Sequence, residues 1–363
     1  MVNGLARARH DALCFLHVNG LPMPFCGIIA ACKTMPIITV SRLHKDFRVY
    51  KHHRGLAGAF RNLFTREFRT VNAVNDVSFS IERGELVGYL GPNGAGKSTT
   101  IKMLTGILVP TGGEVVVNSR VPWKERTAHA REIGVVFGQR TNLWWDLPVI
   151  ESFDLLHHIY RVPEQRYYQN MCQFQDLLGL AEFLHTPVRS LSLGQRMRAD
   201  LAAALLHDPK IVFLDEPTIG LDVVAKERIR RFIQSINRER GVTVILTTHD
   251  LGDVEKLCER VMMIDRGRLL FDGPLATLRQ RFGGERELVV DLADDYDDVT
   301  VEGAQVVSRE GRRVTYRFGR DGLTASELIA RVSGRFRLHD LSVREPEIEA
   351  TVRRIYEERL LDS

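Results

Sequence analysis

Leu86-Val87-Gly88-Tyr89-Leu90-Gly91-Pro92-Asn93-Gly94-Ala95-Gly96-Lys97-Ser98-Thr99 decides the fold of this chain. Its first five residues are a short apolar run of the kind that forms a buried strand, and Ser98 to Leu108 has helical periodicity. Between them Gly91 to Ser98 fits G-x-x-x-x-G-K-[ST], and the strand before and helix after supply the context a phosphate loop requires. Glycines there let the backbone wrap closely around an anion. Backbone N–H groups and the helix N-terminus then face it. Lys97 is placed to reach the β- and γ-phosphates of a nucleotide, and the Ser98 hydroxyl to ligate Mg²⁺. Gly91, Pro92, Asn93, Gly94, Ala95, Gly96, Lys97, Ser98 and Thr99 are the expected phosphate-binding set.

Outward from this loop, strand-like runs alternate with helical patterns. Ile37–Val49 and Val71–Ile81 are β-rich, and Ile211–Leu214 and Val242–Thr247 read as further buried strands. Helical stretches between them predict a mostly parallel sheet with helices on its faces. Asp215 and Glu216 end the run Ile211-Val212-Phe213-Leu214. Neighbouring side chains on a strand point to opposite faces, so the two acids can hold different roles. Asp215 suits Mg²⁺ through its water shell, and Glu216 suits orienting and polarising an attacking water.

With these residues in hand, the chain resembles the ATP-binding subunit of an ATP-binding-cassette (ABC) transporter over roughly Ile37 to Pro274. Leu191-Ser192-Leu193-Gly194-Gln195 is similar to the family signature, and Gly220-Leu221-Asp222 to the loop linking the two sites of a dimer. His249, 33 residues after Glu216, resembles the switch histidine. Gln139 resembles the glutamine that joins the metal and nucleotide to the membrane partner, and Phe47 falls where the family stacks an aromatic on adenine. The resemblance implies an α/β P-loop NTPase cassette: a mostly parallel sheet core, an antiparallel β subdomain and a helical subdomain. It implies ATP and Mg²⁺ as cofactors. Glu216, His249 and Lys97 would be catalytic, Ser98, Gln139 and Asp215 would hold the metal, and Ser192, Gly194, Gln195 and Asp222 would contact nucleotide across a dimer. The implied partners are a second copy or related cassette and an integral-membrane permease, with no nucleic acid. The implied location is the cytoplasmic face of the inner membrane.

Three departures from the family pattern stand out. Leu193 replaces a signature glycine, which predicts altered local dimer packing; Gly138 adds a residue before Gln139; and His52–Thr70 is an insertion. In the insertion Leu56, Phe60, Leu63, Phe64 and Phe68 share one helical face, and Arg54, Arg61, Arg66 and Arg69 add basic charge nearby. That pattern suits an amphipathic segment at a membrane surface or against a permease, and equally a helix packed on its own sheet. Similar insertions in ABC-2-type subunits, together with Glu345-Pro346-Glu347-Ile348-Glu349, point to an exporter of that type. Trp144 and Trp145, just beyond Gln139, are candidate permease anchors or core residues.

The pattern changes near Leu275. Gly283-Gly284 ends a helix-like segment, an acidic run (Asp291, Asp294, Asp295, Asp297, Asp298) follows a strand, and short strands (Arg312–Phe318, Phe336–Val343) and helices (Thr324–Arg331, Pro346–Glu358) come after it. Residues 275–363 are read as a small α+β accessory domain, 35–274 as the cassette. The acidic run lacks EF-hand spacing and reads as a solvated turn. From Ala12 to Cys32 no residue is formally charged, and Arg7, Arg9 and His10 precede the stretch, as in a signal peptide. Its prolines, glycines and polar residues make it a poor membrane helix. The preferred reading is an extension, 1–34, ahead of a start at Met35.

Composition sets the outer bounds. The 363 residues are 44% hydrophobic and 26% charged, ordinary for a globular protein. Lys and Arg number 50 against 46 Asp and Glu, for a net charge of +4, which excludes an acidic disordered chain and gives no support to a dedicated nucleic-acid binder. The five cysteines form no CxxC, which fits a reducing compartment. The alternative function is a soluble ABC-type ATPase acting on nucleic acid or ribosomes. Ser192 follows Lys97 by only 95 positions, without sustained heptads, and one cassette is present, which speaks against both forms of that alternative.

Overall fold

The computed structural model describes residues 35–50, 68–138, 140–282, 285–319, 323–345 and 348–357. Strands β1 (Ile38–Tyr50) and β2 (Phe68–Ile81) open the chain, followed by β3 (Leu86–Leu90), helix α1 (Lys97–Leu104) and β4 (Gly112–Val117). Then come α2 (Arg126–Ala130), β5 (Ile133–Phe137), α3 (Val149–Tyr160), α4 (Glu164–Leu178) and α5 (Leu193–Leu205). Next are β6 (Ile211–Asp215), α6 (Val223–Arg240), β7 (Thr243–Thr247), α7 (Leu251–Leu257), β8 (Arg260–Asp265), β9 (Arg268–Pro274) and α8 (Leu275–Phe282). The last elements are β10 (Arg286–Leu292), β11 (Gln305–Glu310), β12 (Arg313–Phe318), α9 (Ala325–Arg335), β13 (Leu338–Arg344) and α10 (Ile348–Glu357).

The central sheet has the order β5-β6-β7-β3-β8-β9, parallel except for β9. Alternation along its strands divides the core in two. Val212 and Leu214 face a cluster built with α3 to α8, whereas Ile211 and Phe213 face α1 and the β1, β2 and β4 layer. A strand apolar on both faces belongs inside such a sandwich, which explains the unbroken run at 211–214. The antiparallel layer has the order β2-β1-β4, and beyond His44 strand β1 pairs with β2 alone, out to Tyr50 opposite Phe68.

The α1 helix ends at Leu104, with Thr105 as C-cap, and not at Leu108 as its periodicity suggested. Gly106 and a turn closed by Leu108 N–H donating to Lys102 O take over there. The sheet β11-β12-β10-β13 carries α9 on one face, through Leu328 and Val332. Strand β11 had no counterpart in the sequence reading, because its exposed pattern lacks an apolar alternation. Helices α8 and α10 pack elsewhere: Leu275, Leu278, Ile348, Val352 and Ile355 join the helical-side core of the central sheet. In the acidic run Asp291 pairs with Arg313 at 2.8 Å, and Asp298 with Arg335 at 2.8 Å. The apolar face at Leu56, Phe60, Leu63 and Phe64 lies outside the described residues.

Candidate nucleotide site

Strand β3 delivers the loop at the carboxyl end of the parallel sheet, where open α/β folds place their ligands. Gly96 is the N-cap of α1, with φ 110°, and a Cβ there would lie 2.5 Å from Ala73 O. Only glycine fits that left-handed, crowded position. The helix therefore begins at Lys97 with its free N–H groups toward the loop. The Lys97 side chain turns back over the loop and donates to Gly91 O at 2.6 Å and Pro92 O at 3.1 Å. Burial holds its ammonium below the ordinary lysine range, while Glu216 and Asp215 pull in the opposite direction.

Parallel pairing of β6 with β7 sets Asp215 beside Thr247, and the Thr247 hydroxyl donates to Asp215. The Ser98 hydroxyl lies 3.4 Å from the same carboxylate oxygen. Ser98 and Asp215 offer hard oxygen donors, which suits Mg²⁺, an ion that keeps several waters and is completed by phosphate oxygens. Glu216 has φ 56°, a left-handed conformation that costs a non-glycine residue energy. Its N–H donates to Thr247 O at 2.9 Å, which fixes the turn, and its carboxylate meets His249 Nδ1 at 3.3 Å. Gly138 N–H donates to Asp215 O at 2.8 Å, and a Cβ at Gly138 would sit 2.5 Å from Glu216 O. The residue that looked like an insertion is a glycine because two backbones touch there.

These groups line one cleft of about 850 Å³, which takes in Gly91, Pro92, Asn93, Ser98, Asp215, Glu216 and His249. Lys102, Ile107, Arg140 and Ile219 also line it and were not anticipated. Lys102 had a signal, since it lies one helical turn after Ser98 on the same face; Arg140 and Ile219 had none. Behind the carboxylates, the Thr218 hydroxyl donates to Asp253, which is fully buried and pairs with Arg230 Nε at 2.6 Å. This network anchors the turn that carries Glu216.

Ser192, Gly194, Gln195, Asp222 and Phe47 do not line that cleft. Ser192 caps α5, with its hydroxyl accepting from Gln195 N–H at 3.2 Å while Gln195 Oε1 accepts from Ser192 N–H at 2.9 Å. This capping box occupies the Gln195 side chain and leaves Ser192 exposed and Gly194 half-buried at the helix start. Asp222 likewise caps α6, accepting from Ala225 N–H at 2.8 Å. Leu193 rests on the linking loop: its Cδ2 lies 3.1 Å from where a Gly220 Cβ would be. Phe47 is half-buried, with Lys45 Nζ 5.1 Å above its ring and donating to Val109 O. Gln139 lies outside the described residues. Just beyond it Asp200 accepts from the Thr141 hydroxyl and from Asn142 N–H, both at 2.8 Å, which ties this loop to α5.

A family model described as ABC transporter matches residues 74–219. The chain is 34% identical to the ABC transporter ATP-binding protein NatA of Bacillus subtilis over 215 residues, 59% of this chain and 87% of NatA. It is also 34% identical to the probable multidrug ABC transporter ATP-binding protein YbhF of Escherichia coli, over 61% of this chain but only 38% of that longer protein. Among solved structures, the ATP-binding cassette MJ0796 as a post-hydrolysis dimer bound to ADP and phosphate superimposes with a TM-score of 0.55. It is 26% identical, and the match covers 66% of this chain and 98% of the cassette.

Proposed function

The chain belongs to the ABC transporter ATP-binding family, whose cassettes hydrolyse ATP, and from that premise we propose that it powers an exporter through ATP-driven closure and reopening of a cassette dimer. The observation that carries the reading is the division of the site. Ser98, Asp215, Glu216 and His249 line one cleft beneath the loop that carries Lys97, whereas Ser192, exposed, and Gly194, half-buried, lie outside it. A second cassette supplies its Ser192 helix start to this cleft. Contacts to the γ-phosphate made only in the closed pair shift the population toward closure.

Within the cleft the roles follow from position. Lys97 leaves the Gly91 and Pro92 carbonyls for phosphate oxygens, a stronger charge-assisted partner. Mg²⁺, held by Ser98 and Asp215, supplies charge neutralisation when bound. Glu216 orients and polarises the attacking water, and His249 fixes the Glu216 carboxylate. Phe47 stacks on the adenine, and Gln139 links the metal to the permease. The half-exposed Trp144 and Trp145 form the permease contact. Among the described residues no helix is long and apolar enough to cross a membrane. The exporter assignment rests on the insertion after β1 and on the Glu345-Pro346-Glu347-Ile348-Glu349 run.

Glu216→Gln tests the reading. It is expected to bind Mg-ATP with unchanged affinity, to hydrolyse it about 10²–10⁴-fold more slowly, and to run as a dimer on gel filtration only when Mg-ATP is present. Wild-type hydrolysis by this variant would remove Glu216 from the mechanism. Co-purification with ribosomes or DNA instead of a membrane protein would replace the transporter by the soluble ATPase alternative.

A further inference from the structure

Among the described residues the β11-β12-β10-β13 sheet has two unpaired edges, and they differ. Strand β11 has a register break between Val306 and Ser308, a common way of blunting an edge against pairing. Strand β13 pairs with β10 without a break from Asp340 to Arg344, and among the described residues no strand pairs with its outer side. Every residue from His339 to Arg344 is exposed.

The side chains on this edge are unusual for a solvent-facing strand. Leu341 and Val343 stand opposite Val290 and Leu288, both buried under α9, so they continue the apolar face past the last covered strand. They remain 37% and 38% exposed. On the other face Asp340 stands opposite Asp291, an acid already paired with Arg313. Arg344 stands opposite Glu287, which is paired with Arg317 at 3.1 Å. Among the described residues neither Asp340 nor Arg344 forms an ion pair, and Asp340 only accepts from its neighbour Leu341 N–H.

These residues are self-complementary about Ser342. An antiparallel pair of β13 strands with a two-fold axis at Ser342 sets Asp340 against Arg344 of a second copy, twice. It also sets Leu341 against Val343, twice, and Ser342 against itself. Opposite charges directly across an antiparallel pair stabilise it, and the apolar pairs close the face that α9 leaves open. The same operation on β11 sets Gln305 against Arg309 and Val306 against Ser308, with no such match.

We propose that β13 is a homodimerisation edge, through which two copies of this chain form one continuous eight-stranded sheet. The contact needs no nucleotide and uses none of the residues of the cleft. It would keep two cassettes together after hydrolysis has opened the nucleotide interface. This stands apart from ATP-driven closure, so failure of either leaves the other intact.

The test is sedimentation of the full chain without nucleotide or Mg²⁺. The wild type is expected to be a dimer at ~10 µM. Asp340→Arg and Arg344→Asp, each alone, place like charges across the axis and should weaken the dimer at least about tenfold. The double variant Asp340→Arg/Arg344→Asp restores both pairs and should recover the wild-type constant within about threefold. Ser342→Cys should be joined by a short bis-maleimide linker well above the wild-type background from native cysteines, whereas Ser308→Cys on β11 should not. Circular dichroism checks that each variant is folded. A wild-type monomer, single swaps without effect, or a double swap that fails to rescue would each overturn the proposal. ATP-dependent closure of Glu216→Gln is read separately and does not depend on the outcome.

Discussion

His249 Nδ1 lies 3.3 Å from Glu216 Oε1, although a helix and a strand separate the two residues in the chain. Parallel pairing of β6 and β7 brings their ends level, with Asp215 beside Thr247, and the residues that follow each strand meet over the cleft. Glu216 holds its place at a backbone φ of 56°, so the contact is maintained against local strain. His249→Ala is expected to leave ATP affinity within about threefold and to lower the hydrolysis rate at least about tenfold, because the water-orienting carboxylate loses its partner. Nucleotide titration and steady-state phosphate release separate the two effects. An unchanged rate would show that Glu216 keeps its position without the imidazole.

The buried Asp253–Arg230 pair is expected to hold the turn at Thr218. Asp253→Ala leaves the Arg230 guanidinium, 10% exposed, without its main counter-charge. Removing one partner of such a pair costs about 3–5 kcal/mol. Replacing both, as Arg230→Met/Asp253→Ala, should recover part of that loss. Urea unfolding of the three proteins gives the values, and equal stability of the single variant and the wild type would mean that water reaches Arg230.

Asp200 supplies a pH-dependent term. Burial pushes its carboxyl up to about 6 from an ordinary 3.8, although Asn142 N–H, the Thr141 hydroxyl and Arg196 favour the ionised form. The folded state then binds a proton between pH 4 and 6 that the unfolded state has released. The contribution is fully present below pH 4 and is lost as pH rises through 6, on the order of 3 kcal/mol in all. Asp200→Asn keeps the acceptor and removes the titration. The stability difference between variant and wild type should therefore shift in favour of Asn from pH 4 to pH 7. Parallel curves over that range would contradict the burial of this charge.

Gly138→Ala places a Cβ 2.5 Å from Glu216 O and 3.0 Å from Asp215 O. The backbones must part, which displaces both carboxylates. A shift of about 1 Å at a reacting group costs on the order of 10²-fold in rate. Hydrolysis should fall by that order while nucleotide binding, held by the loop at Gly91–Ser98, falls far less. A variant with full activity would mean that the Gln139 loop yields instead.

Much of this was legible before any coordinates. The phosphate loop, the apolar runs at 86–90 and 211–214, and the acids ending the second run carry their meaning locally, because strand, glycine turn and helix start are short-range properties. The helix at 324–331 was visible through its apolar spacing, and Thr324 and Glu327 prove to form its capping box. Strand β11 was not visible, since an exposed edge has no alternation to read. The roles of Arg140 and Ile219 in the cleft were not visible either, because each enters from a loop distant in sequence from the phosphate-binding segment.

The sequence by itself determined the class of this protein: an α/β cassette with a phosphate loop, two carboxylates and a histidine in a set order. Tertiary structure alone decided which residues act together. The β6–β7 register joins Glu216 to His249, and a backbone contact explains Gly138. The packing of α10 on the helical-side core and the open edge at β13 likewise follow from where distant segments settle. Local propensity fixes the elements, but which faces are covered depends on non-local packing, and a single chain read in order does not contain that directly.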